Sequence, residues 1–477
     1  MAEADDWSDA EVLADRLQAG GDPRGELLAL ELAAERAPDS GEARRINGEA
    51  QRIRDAHHEL AWPSALGHTR VGMRAGFVVA ASFDELADPS IPLELLLSAR
   101  ELSLGHHPLD ACATRLEQAR SRGLRIEGLE HWGSDVDPPA DLGCLRGLGE
   151  LDARAPALER IAFVGRVAQP DVLAGFPKLR SIRFGGPLRK AELTSLASLR
   201  LQHLRLHGEL HASTLAESFG DTLAWLELPD CNGSLTPLRE LASLRRLSFA
   251  MRMRAPVEHL SALTQLEALD LPWLDHASLT MLAKLPLRSL SVDWMPAKLV
   301  HQLPSLCELE ALTIGVVGDG QLEGPPFAEL PRLGRLALRT NVRGNLTRPA
   351  GCRSLALSNA SRPFSIVGEV HELSLTDCDL RLVPASVLEQ VRSLRLTWTD
   401  EIHDRELTEL PFLAPQLERL AIHTLRDKWK WAGAVATLGA LPQLRAVAWR
   451  GASVERLAAL SRELPEVCVL SGRWPRA

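Results

Sequence analysis

Leucine and isoleucine recur along most of the chain in the pattern L-x-x-L-x-L, and the copies follow one another at a nearly constant spacing. The spacing varies by no more than one position between Ile161 and Leu312. Within each copy apolar and polar residues alternate, as they do on a strand with one buried face. Alignment on the second leucine of the motif predicts seventeen copies, at Leu102, Leu124, Ile161, Ile182, Leu204, Leu226, Leu247, Leu269, Leu290, Leu312, Leu336, Leu355, Leu373, Leu394, Leu420, Val447 and Val467.

A unit of this length holds one short strand and a return segment, and it cannot bury its leucines alone. Stacked units place the aligned leucines in one continuous core. The return segments 237–244 and 256–263 have apolar residues three and four positions apart, which predicts single helical or 3-10 turns. Longer steps follow Leu124 and lie on both sides of Leu420, and they predict inserted or enlarged segments.

The copy Val370–Leu380 fits the full pattern L-x-x-L-x-L-x-x-N/C-x-L. The chain therefore resembles the leucine-rich-repeat superfamily. The resemblance implies an α/β solenoid, in which a curved parallel β-sheet forms the concave side and short helical or 3-10 segments form the convex side. We expect the solenoid to span residues 97–477, with about seventeen repeats and a C-terminal cap.

Residues 1–60 differ from the rest, because they contain fifteen acidic and seven basic residues whereas the remaining chain has 48 and 47. Asp22-Pro23 predicts a helix start and Pro38 a helix end. Ala14-Asp15 followed by Gly21–Leu27, together with Arg74–Val78, is similar to the repeat-companion domain of many bacterial leucine-rich-repeat proteins. This resemblance implies a helical domain at 1–62 and a capping strand and junction at 63–96, and it supplies no catalytic residues. Such a domain should shield the exposed end of the sheet.

The composition and the sequence motifs limit the classes of function that we expect for this protein. No apolar run approaches the length of a membrane span, and the acidic start Met-Ala-Glu-Ala-Asp-Asp does not resemble a signal peptide. We therefore expect a cytoplasmic protein, and the scarcity of lysine relative to arginine favours a bacterial source. Balanced charge outside the acidic N-terminal segment disfavours nucleic-acid binding. Catalytic motifs and metal-ligand spacings are missing from the sequence, so we expect no enzyme activity, no cofactor and no metal.

The strand alternation directs the third, fifth and seventh motif positions to the concave face. Tryptophan and arginine are enriched at the energetic centres of interfaces, and this chain has no tyrosine. We therefore predict that a protein partner binds on the concave face, with Trp273 and Trp294 as neighbours. The predicted binding residues are Arg183, His203, Arg205, Trp225, Asp270, Trp273, Asp293, Trp294, Arg335, Arg339 and Trp398. A second candidate is the loop that contains Trp429 and Trp431.

Other interpretations of these residues stay open. The charged side chains are equally compatible with a solvated strand face, and the tryptophans with packing over the edge of the sheet. The sequence favours a non-catalytic binding scaffold or a regulatory or sensing protein. The alternative is a regulatory subunit of an enzyme, or a hydrolase whose site no motif reveals. A self-assembling structural protein would need an uncovered terminal strand or a large apolar convex patch.

Overall fold

The computed structural model describes residues 10–63, 72–75, 77–88, 90–91, 93–131, 140–148, 158–164, 167–207, 212–228, 235–249, 257–317, 321–323, 327–339, 341–343, 345–347, 351–358, 365–398, 408–424, 431–450 and 452–471. In chain order the strands are β1 Gly72–Arg74, β2 Phe77–Ser82, β3 Glu101–Ser103, β4 Gly128–His131, β5 Ala140–Asp141, β6 Arg160–Phe163, β7 Val167–Ala168, β8 Ser181–Pro187, β9 His203–His207, β10 Trp225–Leu228, β11 Arg246–Phe249, β12 Ala268–Leu271, β13 Ser289–Met295, β14 Ala311–Val317, β15 Gln321–Glu323, β16 Arg335–Leu338, β17 Asn341–Arg343, β18 Asn345–Thr347, β19 Ser354–Ser358, β20 Ser365–Val367, β21 Glu372–Thr376, β22 Ser393–Trp398, β23 Arg419–Thr424, β24 Ala446–Arg450 and β25 Cys468–Ser471.

Nineteen of these strands form one long sheet. Strands β5 and β7, β15 and β17, and β18 and β20 form three separate pairs. In the long sheet β1 is antiparallel to β2, and every following pair up to β25 is parallel. The expected leucine-rich-repeat solenoid with a curved parallel sheet is therefore confirmed.

The strand register tests the leucine alignment directly. Leu226 lies opposite Leu204 on one side and Leu247 on the other, and the same correspondence runs without a break from Ile161 to Val447. Two assignments were wrong. The residue aligned with Leu102 is Leu129 and not Leu124, and the residue aligned with Val447 is Val469 and not Val467.

The return segments are short, as the spacing predicts. The α-helices, numbered in chain order, are α1 Ala10–Ala19, α2 Pro23–Arg36, α3 Ser40–Ala56, α4 His58–Ala61, α5 Phe83–Ala87, α6 Leu93–Leu96, α7 Leu109–Ser121, α8 Lys190–Ser195, α9 Ala212–Phe219, α10 His276–Leu282, α11 Ala385–Leu388, α12 Leu410–Leu413, α13 Trp431–Gly439 and α14 Val454–Glu463. The 3-10 helices are Leu142–Leu145, Pro170–Gly175, Thr236–Glu240, Val257–Ala262, Ala297–Ser305, Phe327–Glu329 and Leu380–Leu382. Helix α7 has 13 residues and lies between β3 and β4, so it lengthens the step from Leu102 to Leu129. Within the described residues, no helix has the length and apolar character that a bilayer crossing requires.

One core runs along the solenoid between the sheet and the return segments. The fourth and sixth motif positions supply it, as shown by Leu226 and Leu228, which are fully buried. Trp449 occupies a sixth position and is buried as well. Burial of a leucine side chain contributes about 1.5–3 kcal/mol, and each repeat shares its buried surface with both neighbours, so the stability is distributed along the chain.

The N-terminal helices form a small unit with its own buried ion pair. Asp22 accepts the backbone N–H of Arg24 at the start of α2, and Leu28 and Ala50 pack in the interior. Arg54 donates to Glu31 over 2.9 Å, and both side chains are almost fully buried. This pair fixes α3 against α2.

The N-terminal unit also contacts the last repeats, which no local sequence pattern predicts. We define the clasp as the contact between α3 and residues 442–466. In the clasp the Asn47 side-chain amide donates to the backbone carbonyl of Arg445 over 3.0 Å, and Arg44 forms an ion pair with Glu466 over 2.7 Å. At the other end of the solenoid, β2 pairs in parallel with β3. The N-terminal region therefore contacts both ends of the solenoid.

Strand β1 lies against β25. Met73 and Ala75 from the first hairpin share a small cavity with Val469 and Leu470 of the last strand and with Trp62. No ladder of backbone hydrogen bonds joins β1 to β25 among the described residues. Instead, side-chain packing and the clasp bring the two ends of the solenoid together.

Candidate functional site

The concave face presents the side chains that the strand alternation predicts. In β9 the fourth and sixth positions, Leu204 and Leu206, are buried, whereas His203, Arg205 and His207 are partly exposed. Parallel pairing in register then arranges equivalent positions in rows across the sheet. Each predicted concave residue of these strands thus has a defined neighbour one strand away.

Glu227 is the centre of a charged group that we call the Glu227 cluster, formed by Arg183, His203, Arg205 and Glu227. His203 donates from Nε2 to Glu227 over 2.7 Å, and its Nδ1 lies 2.8 Å from the hydroxyl of Ser181. Arg183 and Arg205 approach the other carboxylate oxygen at 3.6 and 3.7 Å. These two distances exceed those of hydrogen bonds, so both guanidinium groups keep most of their donors for another acceptor.

The carboxylate of Glu227 is held in its charged form. Burial by itself raises the pKa of Glu227, but the hydrogen bond from His203 and the charges of Arg183 and Arg205 outweigh burial. The pKa therefore lies below the ordinary value of 4.5. A single negative charge faces two permanent positive charges, those of Arg183 and Arg205. The cluster consequently carries excess positive charge at neutral pH.

A stack of flat side chains continues this site along the third motif position. The rings of His203 and Trp225 lie parallel, with centroids 3.9 Å apart and an interplanar angle of 7°. On the other side the guanidinium of Arg246 lies 4.3 Å from the centroid of the Trp225 ring, which is a cation–π geometry. Arg246 also donates to Asp270 over 2.9 Å. We call His203, Trp225 and Arg246 the indole stack.

The second aromatic feature is the tryptophan pair, Trp273 and Trp294. Their centroids lie 3.5 Å apart with an interplanar angle of 14°, so the predicted neighbours are in direct contact. The backbone N–H of Leu274 donates to the carbonyl of Trp294 over 3.0 Å and fixes the connection. Trp273 remains 45% exposed. The pair therefore combines packing with an accessible aromatic surface.

The two predicted concave aspartates, Asp270 and Asp293, do not form a separate negative patch. Asp270 is paired with Arg246, and Asp293 lies 3.6 Å from Arg339. Burial and the nearby charge of Asp270 raise the pKa of Asp293 above its ordinary value, although the charge of Arg339 opposes this shift. Asp270 and Arg246 lie on adjacent strands, and Asp293 and Arg339 belong to repeats two strands apart.

The remaining predicted residues do not join these groups as one site. Arg335 is exposed on β16, four strands beyond Arg246. Trp294 lies within β13, and Trp398 is the last residue of β22. Trp431 begins α13, and Trp429 lies outside the described residues.

Sequence reasoning missed Glu227 and Arg246. Both occupy concave positions, at the fifth position of β10 and the third of β11, and the same alternation could have found them. Their importance depends on neighbours one or two strands away, which the motif alone does not reveal. In the described part of the chain, no group of three or more His, Cys, Asp and Glu side chains is placed to hold a metal.

Comparisons with known proteins find only distant similarity. No family model matches the chain, and no curated protein matches it. Among solved structures, internalin C2 from Listeria monocytogenes is 17% identical, covering 55% of this chain and 84% of its own, with a TM-score of 0.21. The functional domain of InlJ from Listeria monocytogenes is 13% identical, with coverages of 78% and 73% and a TM-score of 0.29.

A third solved structure, the plant peptide hormone receptor RGFR1 in complex with RGF2, is 14% identical. The match covers 77% of this chain and 74% of the receptor chain, with a TM-score of 0.24. The low TM-scores show that none of these structures superposes well on this chain over its whole length. The fold of the present chain is therefore established by its own strand register, and its function must be argued from its own side chains.

Proposed function

We propose that this protein is a binding scaffold that recognises a protein partner on the concave face of its solenoid. The observation that supports this most strongly is the Glu227 cluster beside the indole stack. There, two arginines and an aromatic stack are held on a rigid sheet around a single charged carboxylate. Arginine and tryptophan in such preorganised positions are the side chains from which interfaces obtain most of their binding energy.

The charge of the cluster supports recognition of an acidic group. Arg183 and Arg205 are 43% and 33% exposed, whereas Glu227 is only 12% exposed. The positive groups therefore face the solvent and the negative group lies beneath them. In the described residues, the indole Nε1 of Trp225 is buried and has no hydrogen-bond partner, so it is an unused donor beneath the same surface.

Affinity capture from the source organism, with detection by mass spectrometry, tests the proposal. The bait is the full chain, compared with the double variant Arg183→Glu with Arg205→Glu. A matched control reverses two exposed charges in a return segment, Lys190→Glu with Arg200→Glu. We expect a partner that the control retains and the concave variant loses. Equal capture by all three baits would contradict concave recognition.

A further inference from the structure

The two ends of the solenoid meet, and this restricts what can reach the concave face. The clasp contains a buried polar contact in addition to its surface ion pair. Ser461 of α14 donates to the side-chain carbonyl of Gln51 over 2.6 Å, and Arg54 donates to the same oxygen over 3.3 Å. Gln51 and Ser461 are both buried. Specific buried hydrogen bonds of this kind define one docking geometry.

The polar side of α3 makes these contacts with a helical period. Ser40, Arg44, Asn47 and Gln51 lie three or four residues apart, so they fall on one face. They contact Gln443, Glu466, the carbonyl of Arg445, and Ser461, respectively. One face of a single helix is thus matched to the last two repeats along its length.

Closure of the ends converts the concave face into the wall of a ring. Nineteen strands spaced about 4.8 Å apart give a circumference of about 90 Å and a backbone diameter of about 29 Å. Side chains occupy about 5 Å from each wall, which leaves at most about 19 Å across. The concave positions of β24 and β25, Ala446, Ala448, Cys468 and Leu470, are themselves buried, so the accessible wall runs from β3 to β23.

The width of the space inside the ring limits the size of the partner that can enter it. A single α-helix with its side chains is about 10–12 Å wide and fits, whereas a small domain is about 30 Å across and does not. The third, fifth and seventh positions of the repeats from β3 to β23 carry eight arginines, namely Arg160, Arg183, Arg205, Arg246, Arg335, Arg339, Arg395 and Arg419. They carry six carboxylates, namely Glu101, Glu130, Glu227, Asp270, Asp293 and Glu372. The wall is therefore positive by two charges in a chain whose net charge is −9.

We propose that the clasp closes the solenoid into a ring and that the partner enters this ring as a single acidic α-helix. The inference rests on the proposed function and specifies its partner. Carboxylates such as Glu227 and Asp270 interrupt the positive wall, which disfavours a polyanion such as single-stranded nucleic acid. An amphipathic helix with an acidic face matches both the charge excess and the aromatic surfaces.

Fluorescence anisotropy with defined probes tests the proposal on the full chain. The probes are a helical peptide of Leu, Ala and Glu, the same peptide with Lys in place of Glu, and an oligothymidylate of equal length. A fourth probe is the acidic peptide with a folded domain fused at each end. We expect saturable binding of the acidic peptide that weakens at least tenfold in Arg183→Glu with Arg205→Glu. The doubly fused probe should also bind at least tenfold more weakly, because it cannot enter a closed ring.

Substitutions that disrupt the clasp test whether ring closure is what excludes the doubly fused probe. Arg44→Ala with Asn47→Ala should restore binding of the doubly fused probe, whereas Arg45→Ala should not, because Arg45 pairs with Glu42 and Glu49 of its own helix. Equal binding of fused and free peptides to the natural chain would overturn the ring. Absence of acidic-peptide binding, or tighter binding of the lysine peptide or the oligothymidylate, would overturn the acidic helix. Loss of a captured protein partner in the concave variant would still support the proposed function in those cases.

Discussion

Trp273 and Trp294 stack face to face across two successive repeats, with ring centroids 3.5 Å apart. The contact joins the segment after β12 to the end of β13, and Trp273 nevertheless remains 45% exposed. Aromatic pairs contribute about 0.5–1.5 kcal/mol beyond the area that they bury. The pair therefore has a structural role of limited size and an exposed ring available to a partner.

The first prediction separates these two roles. Trp273→Ala with Trp294→Ala should weaken binding of a captured partner by at least about 2 kcal/mol, while the thermal unfolding transition stays cooperative. Binding is measured by calorimetry and unfolding by circular dichroism. Phe412→Ala is the control, because Phe412 is 85% exposed in the return helix α12. Unchanged affinity in the folded double variant would show that the tryptophans only pack.

The second prediction concerns the charge of Glu227. Glu227→Gln leaves the arginines and His203 without their carboxylate, so unfolding free energy at pH 7 should fall by about 1–3 kcal/mol. Because the pKa of Glu227 is lowered in the folded state, its stabilisation is present above the unfolded pKa, near the ordinary value of 4.5. It is lost as pH falls through the folded pKa.

Denaturant unfolding from neutral pH to well below the ordinary pKa of 4.5 tests this dependence. Glu372→Gln is the control, because Glu372 is an exposed concave glutamate whose carboxylate lies 3.8 Å from the guanidinium of Arg419. Exposed pairs of that kind contribute about 0–1 kcal/mol. A difference between natural and Glu227→Gln protein that stays constant as the pH falls below the ordinary pKa would contradict the assigned charge.

The third prediction concerns Asp293, whose pKa is shifted in the opposite direction from that of Glu227. The pKa of Asp293 is raised, first by burial, so its ionised form is disfavoured in the folded state relative to the unfolded one. Asp293→Asn should therefore leave the melting temperature unchanged or raise it at pH 7. The difference should disappear below the ordinary pKa of 3.8, where the native carboxyl is also neutral. Asp270→Asn, which loses the hydrogen bond from Arg246, should instead lower the melting temperature.

The fourth prediction concerns the clasp. Asn47 is fully buried, so Asn47→Ala leaves the carbonyl of Arg445 without its side-chain donor and should destabilise the contact by about 1–3 kcal/mol. Hydrogen exchange should then accelerate in β25 and α14, at the far end of the sequence from the substitution. Arg45→Ala should leave this exchange unchanged. Acceleration confined to the N-terminal helices would show that the last repeats do not depend on the clasp.

The repeat architecture was predictable because periodicity reports it directly. Strand alternation within a nearly constant repeat length specifies both the strands and their register, and the alignment from Ile161 to Val447 was correct. Leu124 was misassigned because Leu124, Ile126 and Leu129 are all buried, and α7 displaces the strand to the last of them. Val467 was misassigned because positions 467–470 are all buried, so the alternation that fixes register is missing.

The chemistry of the concave face was only partly predictable. Positions facing the concavity followed from the strand period, and the Trp273–Trp294 contact followed from equal repeat lengths. The pairing of Asp293 with Arg339, and of Arg183 with Glu227, joins side chains two strands apart. Such pairs depend on how different repeats lie relative to one another, which a repeat motif does not specify. The clasp joins the two ends of the chain, as in the hydrogen bond from Asn47 to Arg445, and no local pattern predicts such contacts.

Hydroxyl-radical footprinting with a captured partner tests most directly whether the partner covers the concave face. The measurement is the oxidation rate of Trp273, which is 45% exposed, relative to Phe412, which is 85% exposed in a return helix. We expect partner binding to slow the oxidation of Trp273 and to leave that of Phe412 unchanged. Slower oxidation of Phe412 with no change at Trp273 would place the partner on the convex side and contradict recognition by the concave face.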